Sequence, residues 1–162
     1  MKSKCIICDI DGTVALMMGK RTPFEYHKAF EDVPNVPVIE ALYAMQQWYM
    51  KHYQKPISII FTSARENVVF EPKDGSNPRF KDVAELTEAW VDRHIGEGKD
   101  FNKFVFRKAG DYRKDAFVKF EIGKEIMEEY DVLCVFDDRN QVVDMWRNGL
   151  GLQCFQVADG NF

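Results

Sequence analysis

Two hydrophobic patterns alternate along the chain. Short apolar runs at residues 4–8, 57–62, 104–107, 132–136 and 152–157 have the length and density of strands buried on both faces of a sheet. Between them lie longer segments with helical spacing, predicted over residues 38–53, 80–95, 112–130 and 140–148. The second carries the stripe Phe80, Val83, Ala84, Thr87, Trp90, Val91 and His94, and the first is apolar nearly all round. Strands that alternate with helices imply right-handed crossovers. The expected fold is therefore α/β: a doubly wound, mainly parallel five-stranded sheet with helices on both faces.

No internal repeat or low-complexity linker divides the sequence, and 162 residues suit one hydrophobic core. A single domain over 1–162 is expected, with too little material between the strands for more than a minimal cap. An apolar fraction of 46% with 13 Phe excludes a disordered chain. The residues before Asp9 are too few for a signal sequence, and no apolar run reaches a membrane-spanning length. A soluble, cytoplasmic protein with no membrane partner is expected. Cys5, Cys8, Cys134 and Cys154 all fall in strand-like runs and are read as free thiols. Cys5 and Cys8 have a C-x-x-C spacing but would point to opposite faces of one strand, which argues against zinc or redox chemistry. Trp48, Trp90 and Trp146 are read as core, and His27, His52 and His94 form no ligand spacing.

In a parallel sheet, ligands bind beyond the carboxyl ends of the strands. There the sequence places Asp9, Asp11, Gly12 and Thr13 after the first strand, Ser63 and Arg65 after the second, Arg107 after the third, and Asp137 and Asp138 after the fourth. One such residue is usually a turn or cap; four strand ends together point to chemistry. Carboxylates converging from the first and fourth strands require a hard cation, and Mg2+ accepts a few carboxylates while bridging to phosphate oxygens. Screened in this way, Asp9 can attack phosphorus. Asp11, crowded by other acids, is expected to have a raised pKa and to hold the proton that the leaving oxygen needs. Gly12 allows close backbone approach, while Ser63 and a nearby cation can hold phosphoryl oxygens.

CDIDGT after one strand, FTSAR after the next, a lysine-bearing helix and VFDDR after a later strand resemble the haloacid dehalogenase superfamily, in order. The segments GDYRKDAFVK (residues 110–119) and DDRNQVVDMWRNGLGLQCFQVADGNF (residues 137–162) narrow this to a resemblance to the 3'-phosphatase domain of phage polynucleotide kinase/phosphatase. The resemblance implies Asp9 as nucleophile and Asp11 as general acid and base. It implies Mg2+ held by Asp9, the backbone carbonyl of Asp11 and Asp138, with Asp137 in support. Ser63 and Lys119 match the phosphate-holding hydroxyl and lysine, Asp115 the aspartate that orients the lysine, and Arg21, Arg65 and Arg107 the arginines of the substrate site. The family's SGR is Ser63, Ala64, Arg65 here, and no G-x-x-x-x-G-K-[ST] accompanies it, so the kinase half is absent from this sequence.

The implied activity is Mg2+-dependent hydrolysis of terminal 3'-phosphates on DNA or RNA through an aspartyl-phosphate, with nucleic-acid ends as partner and a kinase or ligase acting alongside. The rival readings are a phosphatase of free nucleotides or other small phosphomonoesters, and a receiver-like phospho-Asp module. A net charge of −4 argues against a polyanionic partner. Residues 103–124 nevertheless hold seven basic against three acidic side chains, a local +4 that is compatible with phosphate binding.

Overall fold

The computed structural model describes residues 2–72, 78–96 and 102–161. In chain order its elements are β1 (Ser3–Asp9), β2 (Ala15–Leu16), β3 (Val33–Pro34), α1 (Val36–Tyr53), β4 (Ser58–Glu66), α2 (Val83–His94), β5 (Asn102–Arg107), α3 (Asp115–Glu129), β6 (Tyr130–Arg139), α4 (Asn140–Asp144) and β7 (Cys154–Gly160). A 3-10 turn spans Tyr26–Glu31, and a π turn, Met145–Gly149, extends α4. The main sheet has the order β5-β4-β1-β6-β7, and every pairing in it is parallel. β1 is central, which brings its carboxyl end between those of β4 and β6.

Side chains alternate across the sheet and create two cores. Ile6, Cys8, Ile59 and Phe61 pack with Ile39 and Leu42 of α1 and with Trp90 and Val91 of α2. Cys5, Ile7, Ile60 and Val135 pack on the other side with Val118, Ile122 and Ile126 of α3 and with Trp146. Cys5 and Cys8 thus occupy opposite faces, as strand geometry requires. All four cysteines are buried and free, and burial pushes the Cys5, Cys134 and Cys154 thiols up to about 12. None is a thiolate near neutrality.

Some elements differ from the sequence pattern for local reasons. β4 and β6 run several residues beyond their apolar stretches, because Thr62 to Glu66 and Asp137 to Arg139 continue the backbone ladder after hydrophobicity ends. α2 begins late because Asp82 caps it, accepting from the Glu85 amide at 2.8 Å. α3 begins at Asp115, the preceding residues being drawn into a turn in which Arg113 grips Asp111. α1 buries only Ile39, Leu42 and Gln46, and Trp48 is 58% exposed and stacked on His52. Trp48 is a surface residue, whereas Trp90 and Trp146 are core.

Gly123 lets α3 pack closely against Trp146 and Leu150. A Cβ there would lie 2.6 Å from both Trp146 Cζ3 and Leu150 Cδ1. Gly123→Ala gains about 1 kcal/mol of helix propensity but forces a fully buried indole to move, which costs about 1–3 kcal/mol. A net fall in thermal midpoint is expected, with a change in Trp fluorescence; a raised midpoint would show that this packing yields freely.

Candidate active site

Two strand ends and one helix build the centre of the site. β1 delivers Asp9, which is 4% exposed; β6 delivers Asp137 and Asp138, at 0% and 5%; and α3 carries Lys119 beneath them at 3%. Lys119 Nζ donates to Asp9 Oδ1 at 2.6 Å and to Asp137 Oδ2 at 2.8 Å. Asp137 Oδ2 also accepts from Trp146 Nε1 at 3.1 Å, and its Oδ1 accepts from the Arg139 amide at 3.2 Å. Thr13 Oγ1 lies 3.1 Å from Asp9 Oδ2 and 3.4 Å from Asp138 Oδ1. Gly12 adopts φ +84°, and a Cβ on it would fall 2.2 Å from Asp138 Oδ2, so glycine is demanded both by the turn and by this contact. Gly160, at the end of β7, is needed for space alone, since a Cβ there would fall 2.2 Å from the Asp138 carbonyl oxygen.

Oxygens of Asp9, Asp137 and Asp138 lie within 4.8 Å of one another. Burial pushes the Asp9 carboxyl well above its ordinary range; Lys119 opposes this, and the neighbouring Asp137 and Asp138 add to it. Asp138 is raised by burial and by Asp137. Burial works against the Lys119 ammonium, but Asp137 and Asp9 outweigh it and leave its pKa raised.

Asp11 belongs to a different network. Its carboxylate accepts from Arg65 Nε and Nη2 and from Arg21 Nη2, each at 2.7 Å. Both arginines also reach Asp32, which is buried behind them and receives Trp90 Nε1 on its carbonyl at 3.0 Å. Burial pushes Asp11 up, but the two guanidiniums prevail and hold it below the usual carboxylate range. The expectation of a raised pKa is therefore reversed, because Asp11 faces arginines and not the other acids. Arg21 is also relocated: its donors are spent on Asp32, Asp11 and the carbonyls of Thr22 and Pro23, and its side chain is 1% exposed.

Asp115 differs in the same way. It pairs with Arg107 Nη2 and Arg139 Nη1, and the acids that hold Lys119 are Asp9 and Asp137. Arg107 continues to the carbonyls of Asp111 and Arg113, both at 3.0 Å. The basic stretch is thus partly consumed internally, since Lys119, Arg107 and Arg113 all hold acidic partners.

These side chains surround a cleft of about 430 Å³. Every residue expected at the site lines it except Thr13, Arg21 and Ser63. Ser63 is buried, and its Oγ accepts from the Arg65 amide at 3.1 Å, within the irregular stretch of β4 that carries Arg65. Sequence reasoning missed Asp32, Trp146, Arg139 and Tyr26. The last two line the cleft, and Asp32, beside Glu31 in a short acidic pair, belonged to no motif. At formal charges the cleft presents Asp9, Asp11, Glu66, Asp115, Asp137 and Asp138 against Arg65, Arg107, Lys119 and Arg139, an excess of two negative charges. Buried carboxylate oxygens with that excess fit a hard divalent cation such as Mg2+. Among the described residues, no helix is long and apolar enough to cross a membrane.

The family model described as the polynucleotide kinase PNKP phosphatase domain matches residues 3–162. A putative bifunctional polynucleotide kinase/RNA ligase of Autographa californica nuclear polyhedrosis virus is 27% identical over 146 residues, covering 90% of this chain and 18% of the viral protein. Two solved structures, described as the Pnkp1/Rnl/Hen1 complex and the Pnkp1/Rnl/Hen1 RNA repair complex, each contain a chain 35% identical to this one. They superpose with TM-scores of 0.76 and 0.77 over 99% of this chain. The chain spans 48% and 44% of those two chains, and so less than half of each relative's length.

Proposed function

Because the chain belongs to the polynucleotide kinase PNKP phosphatase domain family, we propose that it removes terminal 3'-phosphates from RNA or DNA through a phosphate ester on Asp9. The observation that carries this reading is the buried lysine joining carboxylates from two adjacent strand ends, with a third carboxylate close by. Acids buried this close together are unfavourable unless positive charge balances them, and such a cluster in a cleft marks a site for a charged ligand.

Asp9 Oδ attacks phosphorus, the P–O3' bond breaks, and the 3'-oxygen leaves with a proton; water then attacks phosphorus, freeing Asp9 and inorganic phosphate. Lys119 keeps Asp9 oriented and favours its ionised form. Asp9 and Asp138 are the best-placed side-chain ligands for Mg2+, because Asp137 already accepts from Lys119, Trp146 and the Arg139 amide and so backs them. When bound, Mg2+ neutralises the acids and polarises the phosphoryl oxygens. Asp11 is held ionised in the free protein, in the form that takes a proton from water. A phosphate drawing Arg65 away weakens Asp11's ion pairs and restores its proton affinity, so that Asp11 takes a proton from solvent, passes it to the leaving 3'-oxygen, and as the carboxylate then takes the proton of the attacking water. Arg107 and Arg139 at the cleft wall supply charge for the incoming phosphate, and Arg21 acts by positioning Asp11.

The repair-related names of the relatives support a nucleic-acid end as substrate, with kinase and ligase activities acting on the ends that remain. Single-stranded RNA and DNA oligonucleotides bearing a 3'-phosphate, incubated with Mg2+, are expected to release phosphate and to stop on chelation. They should also be favoured over the corresponding 3'-mononucleotides in kcat/KM. No release with Mg2+ would overturn the reading; a preference for the mononucleotide would move it to free nucleotides.

A further inference from the structure

Two aromatic rings stand at the mouth of the cleft. Phe24 and Tyr112 are each 83% exposed, more than any other large hydrophobic side chain among the described residues, and both line the same cleft as Asp9 and Lys119. They come from separate loops, and a buried arginine fastens each loop. Arg21 Nη1 donates to the carbonyls of Thr22 and Pro23, the two residues before Phe24, at 3.1 and 3.5 Å. The Thr22 amide donates to Glu25 Oε2 at 2.8 Å, closing the turn from the other side. Arg107 Nη1 donates to the carbonyls of Asp111 and Arg113, the residues on either side of Tyr112, both at 3.0 Å. Arg113 is locked in turn onto Asp111 and Glu121. The backbone under both rings is therefore ordered while the rings themselves face solvent, an arrangement that gains nothing for the free protein.

We infer that Phe24 and Tyr112 form the stacking platform for the terminal nucleobase of an unpaired strand whose 3'-phosphate enters the cleft; this rests on the function proposed above. Stacking on aromatic faces is the sequence-tolerant way to hold single-stranded nucleic acid, and it works beside cations that follow the backbone. Those cations are present in sequence beside the rings: Lys20 precedes the Phe24 turn, and Lys108 and Lys114 bracket the Tyr112 loop. A base paired in a duplex would have to leave its stack to reach the rings, so the favoured substrate is a single-stranded or overhanging 3'-phosphate end. The rings contact the base and take no part in bond breaking.

The test compares kcat/KM for a single-stranded 3'-phosphorylated oligonucleotide with that for the same strand ending in an abasic 3'-phosphate. In the unaltered protein the base-bearing end is expected to be favoured by about tenfold or more. In Phe24→Ala, Tyr112→Ala and the double variant that ratio collapses toward one, and Phe24→Tyr and Tyr112→Phe restore it. A ratio that survives in the double variant, or rates that fall equally on both substrates, overturns the inference. A second readout does not need turnover: Asp9→Asn protein titrated onto a strand carrying 3'-terminal 2-aminopurine and a 3'-phosphate. Its fluorescence is quenched on stacking, and the quench disappears when both rings are alanine; a quench unchanged by the substitutions, or absent throughout, refutes the platform. If the unaltered protein releases no phosphate from either strand, the phosphatase reading fails, and the fluorescence alone decides whether the rings bind a base.

Discussion

Asp9→Asn is expected to lower phosphate release from a 3'-phosphorylated oligonucleotide by about 10⁴-fold or more, the scale on which covalent nucleophiles fail when removed. Asparagine keeps the volume, and its carbonyl oxygen still accepts from Lys119, so the fold is expected to persist. What disappears is the charged oxygen that must bond to phosphorus. Asp9 is also one of three acids in the cluster that can hold a cation, and cation affinity should fall with activity. A cooperative thermal transition near that of the unaltered protein, measured with chelator present, separates this from unfolding. Retained turnover would exclude Asp9 as nucleophile whatever else the site does.

Lys119→Met is expected to have the largest effect on stability. Its ammonium is 3% exposed and joins Asp9 to Asp137, which are themselves 4% and 0% exposed. Removing one partner from a buried ion cluster leaves uncompensated charge, at a cost of about 3–5 kcal/mol. In a domain of this size that is a fall in thermal midpoint of roughly 10 °C. Mg2+ should return part of the loss, because a divalent cation among the same acids replaces the missing positive charge. The midpoint difference between Mg2+ and chelator is therefore expected to be wider in the variant than in the unaltered protein. A variant as stable as its parent without metal would contradict the ion cluster.

The sheet was legible because buried parallel strands leave dense apolar runs, and the polar residues after them mark where a ligand can sit. Asp9, Gly12, Lys119, Asp137 and Asp138 follow from that pattern and from the family resemblance, and the fold brings them together. Partner choice was not legible. Asp115 precedes Lys119 by one helical turn, yet a neighbour on the same helix face loses to Arg107 and Arg139 arriving from two strand ends. Asp11 lies two residues from Asp9, but a bend at Ile10 and Gly12 sends it toward arginines that no local rule connects to it. Asp32 anchors those arginines from a position with no motif at all. Trp48 misled for a simpler reason: when a helix is apolar nearly all round, its periodicity does not say which side the sheet covers.

The central claim is that phosphorus passes from a 3'-end to Asp9. An oligonucleotide carrying 32P in its 3'-phosphate, mixed with stoichiometric protein and Mg2+ and quenched in acid within the first turnover, measures this directly. Label on the protein, mapped to Asp9 by peptide analysis and absent from Asp9→Asn, is the predicted result. Full release of labelled phosphate with no protein-bound label at any time, or label on another residue, would contradict it.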